Sequence, residues 1–191
     1  MARFLTSMRR TPFSACRATA LVVLLLAWSA VLPALHAQAP EQEQVINVIK
    51  KMGGQVQRDL KAPDQPAIGI SLRGTNVTDA DLEILKQLKS LQILNLSQTA
   101  ITDAGLKPIE SLSKLQNLIL PVSITDAGLV HIKGLTQLES LNLLDSQVSD
   151  AGLVYLKDLQ NLKILLLNGT KVTDAGLREI RQALPRARIS R

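Results

Sequence analysis

The sequence predicts an α/β solenoid, in which stacked repeats form a curved parallel sheet on the concave side and short helices on the convex side. Three observations predict this fold class. A Thr/Ser-Asp-Ala motif occurs five times, at steps of 24, 23, 24 and 24 residues. A Leu-x-x-Leu-x-Leu motif lies between successive copies. Its last two leucines alternate with other residues, which is the pattern of a short strand with one buried side.

The two motifs keep a fixed spacing over residues 67–184. The Thr/Ser-Asp-Ala motif begins at Thr78, Thr102, Thr125, Ser149 and Thr173. The leucine motif begins at Leu91, Leu115, Leu138 and Leu162, after a degenerate first copy at Ile68-x-Ile70-x-Leu72. Linked copies of two motifs at one period are the signature of a repeat architecture.

Each element of one repeat follows from its residues. Leu94 and Leu96 point to one side of a short strand because side chains alternate. After a polar turn, Ile101 returns to the interior. Thr102 suits a helix N-cap, and Asp103 is favourable near the positive end of a helix. A single repeat cannot bury its apolar faces, so we expect neighbouring repeats to stack and to pair their strands.

The combined pattern Leu-x-x-Leu-x-Leu-x-x-Thr and Ile/Val-Thr-Asp-Ala-Gly-Leu resembles the 24-residue repeats of exported bacterial leucine-rich repeat proteins of the planctomycete type. It also resembles the Ile-Thr-Asp-x-Gly-Leu repeats attached to eukaryotic F-box proteins. The resemblance covers residues 67–191. It implies a leucine-rich repeat solenoid that acts as a non-catalytic protein-interaction module. The alternative is a ubiquitin-ligase-type, F-box-associated substrate adaptor, but the cysteines of that repeat type are absent and no F-box precedes the repeats.

Two departures from the pattern lie in the turns that follow the strands. Thr or Ser occupies a turn position that is often Asn in this family, and we expect a hydroxyl ladder there in place of an amide ladder. The positions are Thr75, Thr99, Ser146 and Thr170. The third repeat is one residue short between Leu120 and Ile124, and it contains Pro121, which cannot donate a backbone hydrogen bond. We expect a local notch at this turn.

Residues 1–37 predict a signal peptide. Four arginines lie in the first 17 residues, no acidic residue precedes Glu41, and an apolar run extends over residues 18–32. Cleavage after Ala37 is favoured over cleavage after Ala39, which would place Pro40 just after the cut. An apolar run of about 15 residues is short for a membrane span of about 20. The alternative is an uncleaved anchor. The predicted location is therefore the periplasm, the cell envelope or the extracellular space.

The solenoid ends need covers. Residues 38–66 predict an N-terminal cap, with a helix at residues 41–52 that ends at Gly53-Gly54 and a short strand at residues 55–57. Five repeats follow over residues 67–184. Pro185 ends the last helix, and residues 185–191 predict a C-terminal cap with a short edge strand at residues 187–189.

Composition excludes several kinds of site. Beyond residue 37 the chain has no Cys, one His (His131) and one aromatic residue (Tyr155). It can build neither a Cys/His metal cluster nor a Cys–His nucleophile, and it lacks stacking platforms for single-stranded nucleic acid. From residue 38 onward it has 18 basic and 16 acidic residues. We expect no enzyme activity, no cofactor, no nucleic-acid partner, membrane contact only through an uncleaved leader, and a monomer.

The aspartates of the repeated motif form a row. The row could be a calcium ladder or could place a negative charge at each helix start. Neighbouring aspartates are one repeat apart, too far to share one ion at about 2.4 Å, so the second interpretation is favoured and no metal site is predicted. The row consists of Asp79, Asp103, Asp126, Asp150 and Asp174.

The outward positions of the strands are the candidate binding residues. They lie between the buried leucines and mix apolar with amide side chains, whereas an unused surface could be wholly polar. An apolar patch rimmed by polar groups marks an interaction surface. The alternative is a face merely covered by a cap or a second chain. We expect an unidentified protein or peptide to contact Ile93, Asn95, Asn117, Ile119, Asn142, Leu144, Ile164 and Leu166.

Overall fold

The structure is a computed structural model that describes residues 41–191. Within them, a helix (α1) covers residues 41–51 and is followed by one seven-stranded sheet. The strands, which are adjacent in chain order, are β1 (Gln55–Arg58), β2 (Ala67–Ser71), β3 (Ile93–Asn95), β4 (Asn117–Ile119), β5 (Ser140–Asn142), β6 (Ile164–Leu166) and β7 (Arg188–Ser190). The predicted signal peptide, residues 1–37, lies outside the described residues.

The sheet is parallel except at its first pair. β1 runs antiparallel to β2, and every later pair is parallel and in register. Register is kept because the repeat length places equivalent residues side by side. The inward residues at the aligned positions of β2 to β7 form one row, namely Ile70, Leu94, Leu118, Leu141, Leu165 and Ile189.

The core lies between the strands and the helical segments. The motif leucines Leu94, Leu118, Leu141 and Leu165 are at most 1% exposed. Ile101 is also fully buried, as the sequence predicted for the residue that follows the turn. Val45, Ile46 and Ile49 of α1 extend the same apolar core. The predicted helix and strands at the two ends are present with bounds that differ by at most one residue.

The helical segments differ in type from repeat to repeat. The first two are 3₁₀ helices, at Asp79–Gln87 and Asp103–Ser111. The next two begin as single α-helical turns, α2 (Asp126–Leu129) and α3 (Asp150–Leu153), and a 3₁₀ turn at Val154–Leu156 follows α3. Only α4 (Asp174–Ala183) is a longer α-helix within residues 67–191. None of the helices in the described part of the chain is long and apolar enough to cross a membrane.

The short turn of the third repeat is compensated locally. In the other repeats the turn contains a residue with positive φ, at Gly74, Gln98, Asp145 or Gly169, and residues 121–123 contain none. The backbone N–H groups of Gln147 and Lys171 donate to carbonyls of the preceding repeat, at 2.8 and 2.9 Å. In the third repeat the Ser123 hydroxyl donates to the Ile101 carbonyl instead. A side chain therefore supplies an inter-repeat hydrogen bond at the predicted notch, and β4 keeps its register.

Candidate functional site

The strand face is the side of the sheet opposite the leucine core, and it carries the eight candidate residues. Six of them are half-buried, while Leu144 is 36% exposed and Ile164 is 42% exposed. Pairing aligns them in two rows. The first row contains Ile93, Asn117, Ser140 and Ile164, and the second contains Asn95, Ile119, Asn142 and Leu166. Leu144 lies just beyond β5 in the following turn.

Two of the asparagines on the strand face have a structural task as well. The Oδ1 atom of Asn95 accepts the backbone N–H of Ser97 at 2.9 Å, and Oδ1 of Asn142 accepts the N–H of Leu144 at 2.9 Å. Such side-chain-to-backbone bonds fix the turn after a strand. Their amide NH₂ groups are not used in these bonds, so both residues offer donors on this surface.

The equivalent position in the third repeat shows why the pattern changes there. Ile119 has no side-chain acceptor, and Pro121, two residues later, has no N–H to donate. The loss of an acceptor is therefore matched by the loss of its donor. At this position the third repeat therefore has no backbone N–H group that needs the asparagine cap found in the second and fourth repeats.

The strand face has a one-sided charge balance. Among the outward positions of β2 to β7 there is no carboxylate, and Arg188 on β7 is the one charged residue. Arg73, just after β2, donates from Nε to Oε1 of Gln98 at 3.1 Å. Glu139 precedes β5 and pairs with Lys163 at 2.7 Å. The surface is therefore neutral to basic, and its hydrogen-bonding groups are mostly amides and hydroxyls.

A shallow depression of about 280 Å³ lies at the β1 end of the strand face. It forms where Gly69 supplies no side chain to the first row. Beside Gly69, outward residues of four strands, β1 to β4, surround it. The lining side chains at this surface are Gln55, Gln57, Ser71, Ile93, Asn95 and Ile119.

The aspartate row joins the repeats to one another, which the sequence interpretation missed. The first four carboxylates each accept both the backbone N–H and the hydroxyl of the Thr or Ser that begins the next motif. For Asp126 and Ser149 the two distances are 2.7 and 2.6 Å. We call these contacts the aspartate ladder. Its pairs are Asp79 with Thr102, Asp103 with Thr125, Asp126 with Ser149, and Asp150 with Thr173.

The ladder also explains the glycine of the motif. A Cβ atom on Gly152 would overlap the carboxylate of Asp126, which belongs to the preceding repeat. The same holds for Gly105, Gly128 and Gly176 with the aspartates before them. The first repeat has Asp81 at this position, where no preceding aspartate needs the space. The sequence signal for this contact was the Thr-Asp-Ala-Gly motif itself. The Thr or Ser, the Asp and the Gly of the motif are the three residues that form the contact, and they recur together.

The two ends of the ladder use substitutes. At the start, the carboxylate of Asp81 accepts the backbone N–H and the hydroxyl of Thr78 in its own repeat, each at 2.8 Å. The two hydrogen bonds hold the pKa of Asp81 below its usual value, and the bond from the backbone N–H has the larger effect. At the other end, Asp174 pairs with Arg191 at 2.8 Å. At each end of the ladder, a residue of the chain itself thus takes the place of the partner that a further repeat would supply.

The hydrogen bonds of the aspartate ladder bear on the calcium alternative. Its carboxylate oxygens accept N–H and O–H donors, which a cation would have to displace. Among residues 41–191, no group of three or more His, Cys, Asp or Glu side chains is arranged to hold a metal ion.

The predicted hydroxyl ladder is wrong. Thr75, Thr99 and Thr170 donate to backbone carbonyls three residues earlier in their own repeats, at 2.7, 2.7 and 2.6 Å. The fourth member, Ser146, is 1% exposed, and its hydroxyl has no hydrogen-bond partner within the described residues. The three threonine hydroxyls thus close turns within their own repeats and do not link one repeat to the next.

His131 and Tyr155 lie on the helical side of the repeats. Nδ1 of His131 is 2.5 Å from Oε1 of Glu110 in the preceding repeat, and this hydrogen bond lowers the pKa of Glu110. Tyr155 is half-buried and packs against the core. Neither residue joins the strand face.

In-register strands, an inward leucine in nearly every strand and one helical segment per repeat define a leucine-rich repeat solenoid, a class whose members are generally interaction modules. Residues 87–109 match the family model described as Leucine Rich repeat. Solved structures with similar folds include internalin C2 from Listeria monocytogenes (24% identity, TM-score 0.51) and the ectodomain of the receptor kinase SOBIR1 from Arabidopsis thaliana (18% identity, TM-score 0.51).

The similarity to these proteins differs in extent. The match to internalin C2 covers 67% of this chain and 56% of that one, and the match to the SOBIR1 ectodomain covers 78% and 90%. Internalin inlF from Listeria monocytogenes is 26% identical with a TM-score of 0.49, over 57% of this chain and 30% of its own. The chain therefore spans less than two thirds of either internalin. No curated protein matches it.

Proposed function

We propose that this leucine-rich repeat chain binds a protein or peptide on its strand face, outside the cytoplasm and without catalysing a reaction. The observation that supports this proposal is the composition of the strand face. Exposed Leu144 and Ile164 lie on the same surface as the half-buried isoleucines and the free amide donors of Asn95 and Asn142. Apolar area with a polar rim is the composition of an interaction surface.

The proposal includes the organisation of the whole chain as a monomer. Residues 1–37 are a signal peptide that is removed, 38–66 are an N-terminal cap, 67–184 are five repeats and 185–191 are a C-terminal cap. The exported protein should therefore begin at Gln38, which intact-mass measurement of the exported material checks. A mass that includes Met1 or Ala2 would contradict cleavage and favour an anchored protein. Nothing in the fold or the comparisons favours the F-box-associated adaptor.

The binding test replaces apolar side chains of the strand face. A triple variant with Ile93, Ile119 and Leu166 changed to Ser should keep the circular dichroism spectrum of the unaltered chain. It should lose capture of partners from a cell-envelope fraction, because it removes apolar contact area while the inward leucines stay in place.

A matched variant keeps this experiment specific. It carries three serine substitutions on the helical side or near the C-terminus, at His131, Val154 and Arg178, of which Val154 is 56% exposed. This variant should capture the same partners as the unaltered chain. If the control loses capture and the strand-face variant retains it, the binding surface lies on the helical side or near the C-terminus.

A further inference from the structure

We propose that the depression at the β1 end of the strand face is a specificity pocket for one aromatic side chain of the partner, with a hydrogen-bonding tip as in tyrosine or tryptophan. The inference rests on the proposed strand-face binding and specifies what the partner must present there. It follows from the shape, the charge and the hydrogen-bonding capacity of the depression.

The shape comes from Gly69 and its neighbour on β1. Gly69 is paired with Gln57, and a Cβ on Gly69 would lie 3.1 Å from both Cβ and Oε1 of Gln57. Glycine therefore lets the Gln57 side chain lie in the place that a side chain at Gly69 would take, and both residues line the depression. The depression of about 280 Å³ falls just below the range of about 300–1,000 Å³ for small-molecule pockets, so it suits one large side chain.

The charge of the lining excludes an ionised occupant. No Asp, Glu, Lys or Arg is among the residues that line the depression. Burying an unpaired charge in such a place is unfavourable, so a Lys, Arg, Asp or Glu side chain of the partner is not accommodated. The occupant is neutral.

The hydrogen-bonding groups favour an occupant with a polar tip. Ile93 and Ile119 provide apolar contacts, while Gln55 and Gln57 provide amides and Ser71 a hydroxyl. An aliphatic occupant would cover these polar groups without bonding to them, which is costly. An aromatic ring with an O–H or N–H satisfies both parts of the lining, and such side chains dominate the energy of many interfaces.

The occupant does not come from the described part of the same chain. Tyr155 is the one aromatic residue among residues 41–191. It packs against the core in the 3₁₀ turn Val154–Leu156 on the helical side. Tyr155 is therefore not the occupant, and the proposal assigns the aromatic side chain to the partner.

The test uses N-acetyltyrosinamide as the probe and the isoleucine methyl NMR signals of the full chain as the readout, with Ile93→Val and Ile119→Val for assignment. The ring current should shift the Ile93 and Ile119 methyl signals saturably, with little change at Ile164, and binding should be weak because the probe is small. N-acetylleucinamide should cause no saturable shift.

Two matched variants locate the site. Ser71→Leu fills the depression and should weaken probe binding more than about tenfold, because the space is then occupied. Ser140→Leu makes the same change at an outward position on β5 and should alter binding less than about twofold. If Ser71→Leu does not fold, Ile93→Asn compared with Ile164→Asn serves the same purpose.

Three results would overturn the inference. They are equal binding of the leucine probe, unchanged binding by Ser71→Leu, and methyl shifts confined to Ile164 or absent altogether. These results concern a single side chain of the partner. They do not test the strand-face proposal, which the capture experiment tests separately. That proposal is contradicted only if the triple serine variant still binds a whole partner.

Discussion

The aspartate ladder and the strand face belong to the same repeats, yet they differ in how strongly one repeat constrains the next. In the ladder every repeat has Asp, and Thr or Ser begins every motif, because each interior motif donates to the aspartate before it and accepts from the motif after it. On the strand face the first row changes from Ile to Asn to Ser to Ile.

This difference teaches what repetition within a single chain means. A motif that bonds to its equivalent in the next repeat must keep both partners of the contact, since its Thr or Ser donates to the repeat before it and its Asp accepts from the repeat after it. A position that faces away from the stack has no such requirement. Variation among outward positions therefore leaves room for recognition of a partner, while uniformity at the ladder reflects stacking.

The largest effect should come from the shared interior on which both regions depend. Leu141→Ala removes a side chain that is fully buried between two neighbouring strands. We expect a loss of about 2–5 kcal/mol in the free energy of unfolding, because transfer and cavity terms add. Urea denaturation measures it. A loss below that of a strand-face substitution would contradict the assignment of inside and outside.

The next effect tests the close approach within the ladder. Gly152→Ala introduces a Cβ that would overlap the Asp126 carboxylate, so we expect about 1–3 kcal/mol of destabilisation from overpacking. Alanine would otherwise be preferred over glycine in a helix by up to about 1 kcal/mol. Gly134→Ala is the control, since no atom lies within 4 Å of its added Cβ. Thermal melts of the two variants should separate clearly, and equal melts would argue against a tight ladder.

A smaller effect should follow when a ladder acceptor is removed. Asp126→Ala leaves the N–H and hydroxyl of Ser149 without their acceptor, and we expect a loss of about 1–2 kcal/mol. Asp174→Ala at the end of the ladder breaks a pair with Arg191 that is mostly exposed, and we expect less than about 1 kcal/mol. Equal losses at the two positions, measured by urea denaturation, would mean that the interior contacts add nothing.

The ladder should also make stability depend on acid pH. The hydroxyl and the backbone N–H of Thr173 hold the pKa of Asp150 below its usual value. A lowered folded-state pKa adds stability above the unfolded-chain value of about 3.9, and this stability is lost as the pH falls through the lower folded-state value. Asp150→Asn should therefore flatten the decline in melting temperature below about pH 4. An unchanged pH profile in the variant would exclude this contribution.

The smallest effect per substitution should be found on the strand face. Ile164 is 42% exposed, whereas its neighbour Leu165 is fully buried. Ile164→Ser should cost less than about 1 kcal/mol, since it removes only cross-strand contacts. Urea denaturation beside Leu141→Ala gives the comparison directly. A cost equal to that of Leu141→Ala would mean that the face is part of a core.

Much of the fold was predictable from the sequence because the repeats are regular. Alternation placed Leu94 inside and Ile93 outside, and the period placed Ile70, Leu94 and Leu118 in register. The predicted hydroxyl ladder was wrong because spacing along the chain does not tell whether Thr99 bonds within its own repeat or to the next. For the candidate site, the sequence identified the outward residues, and their role in binding stays a prediction.

What the sequence by itself determined is the set of contacts that depend on periodicity, namely the inward leucines, the stacking and the side of each strand. Tertiary structure alone decided the contacts that depend on distances between repeats. It placed the carboxylate of Asp79 against Thr102 and left no space for a side chain at Gly105. It also paired β1 with β2, so that Gln57 lies opposite Gly69 at the depression. The physical reason is that side-chain direction follows from local backbone geometry, whereas close approach depends on how far apart the packed repeats lie.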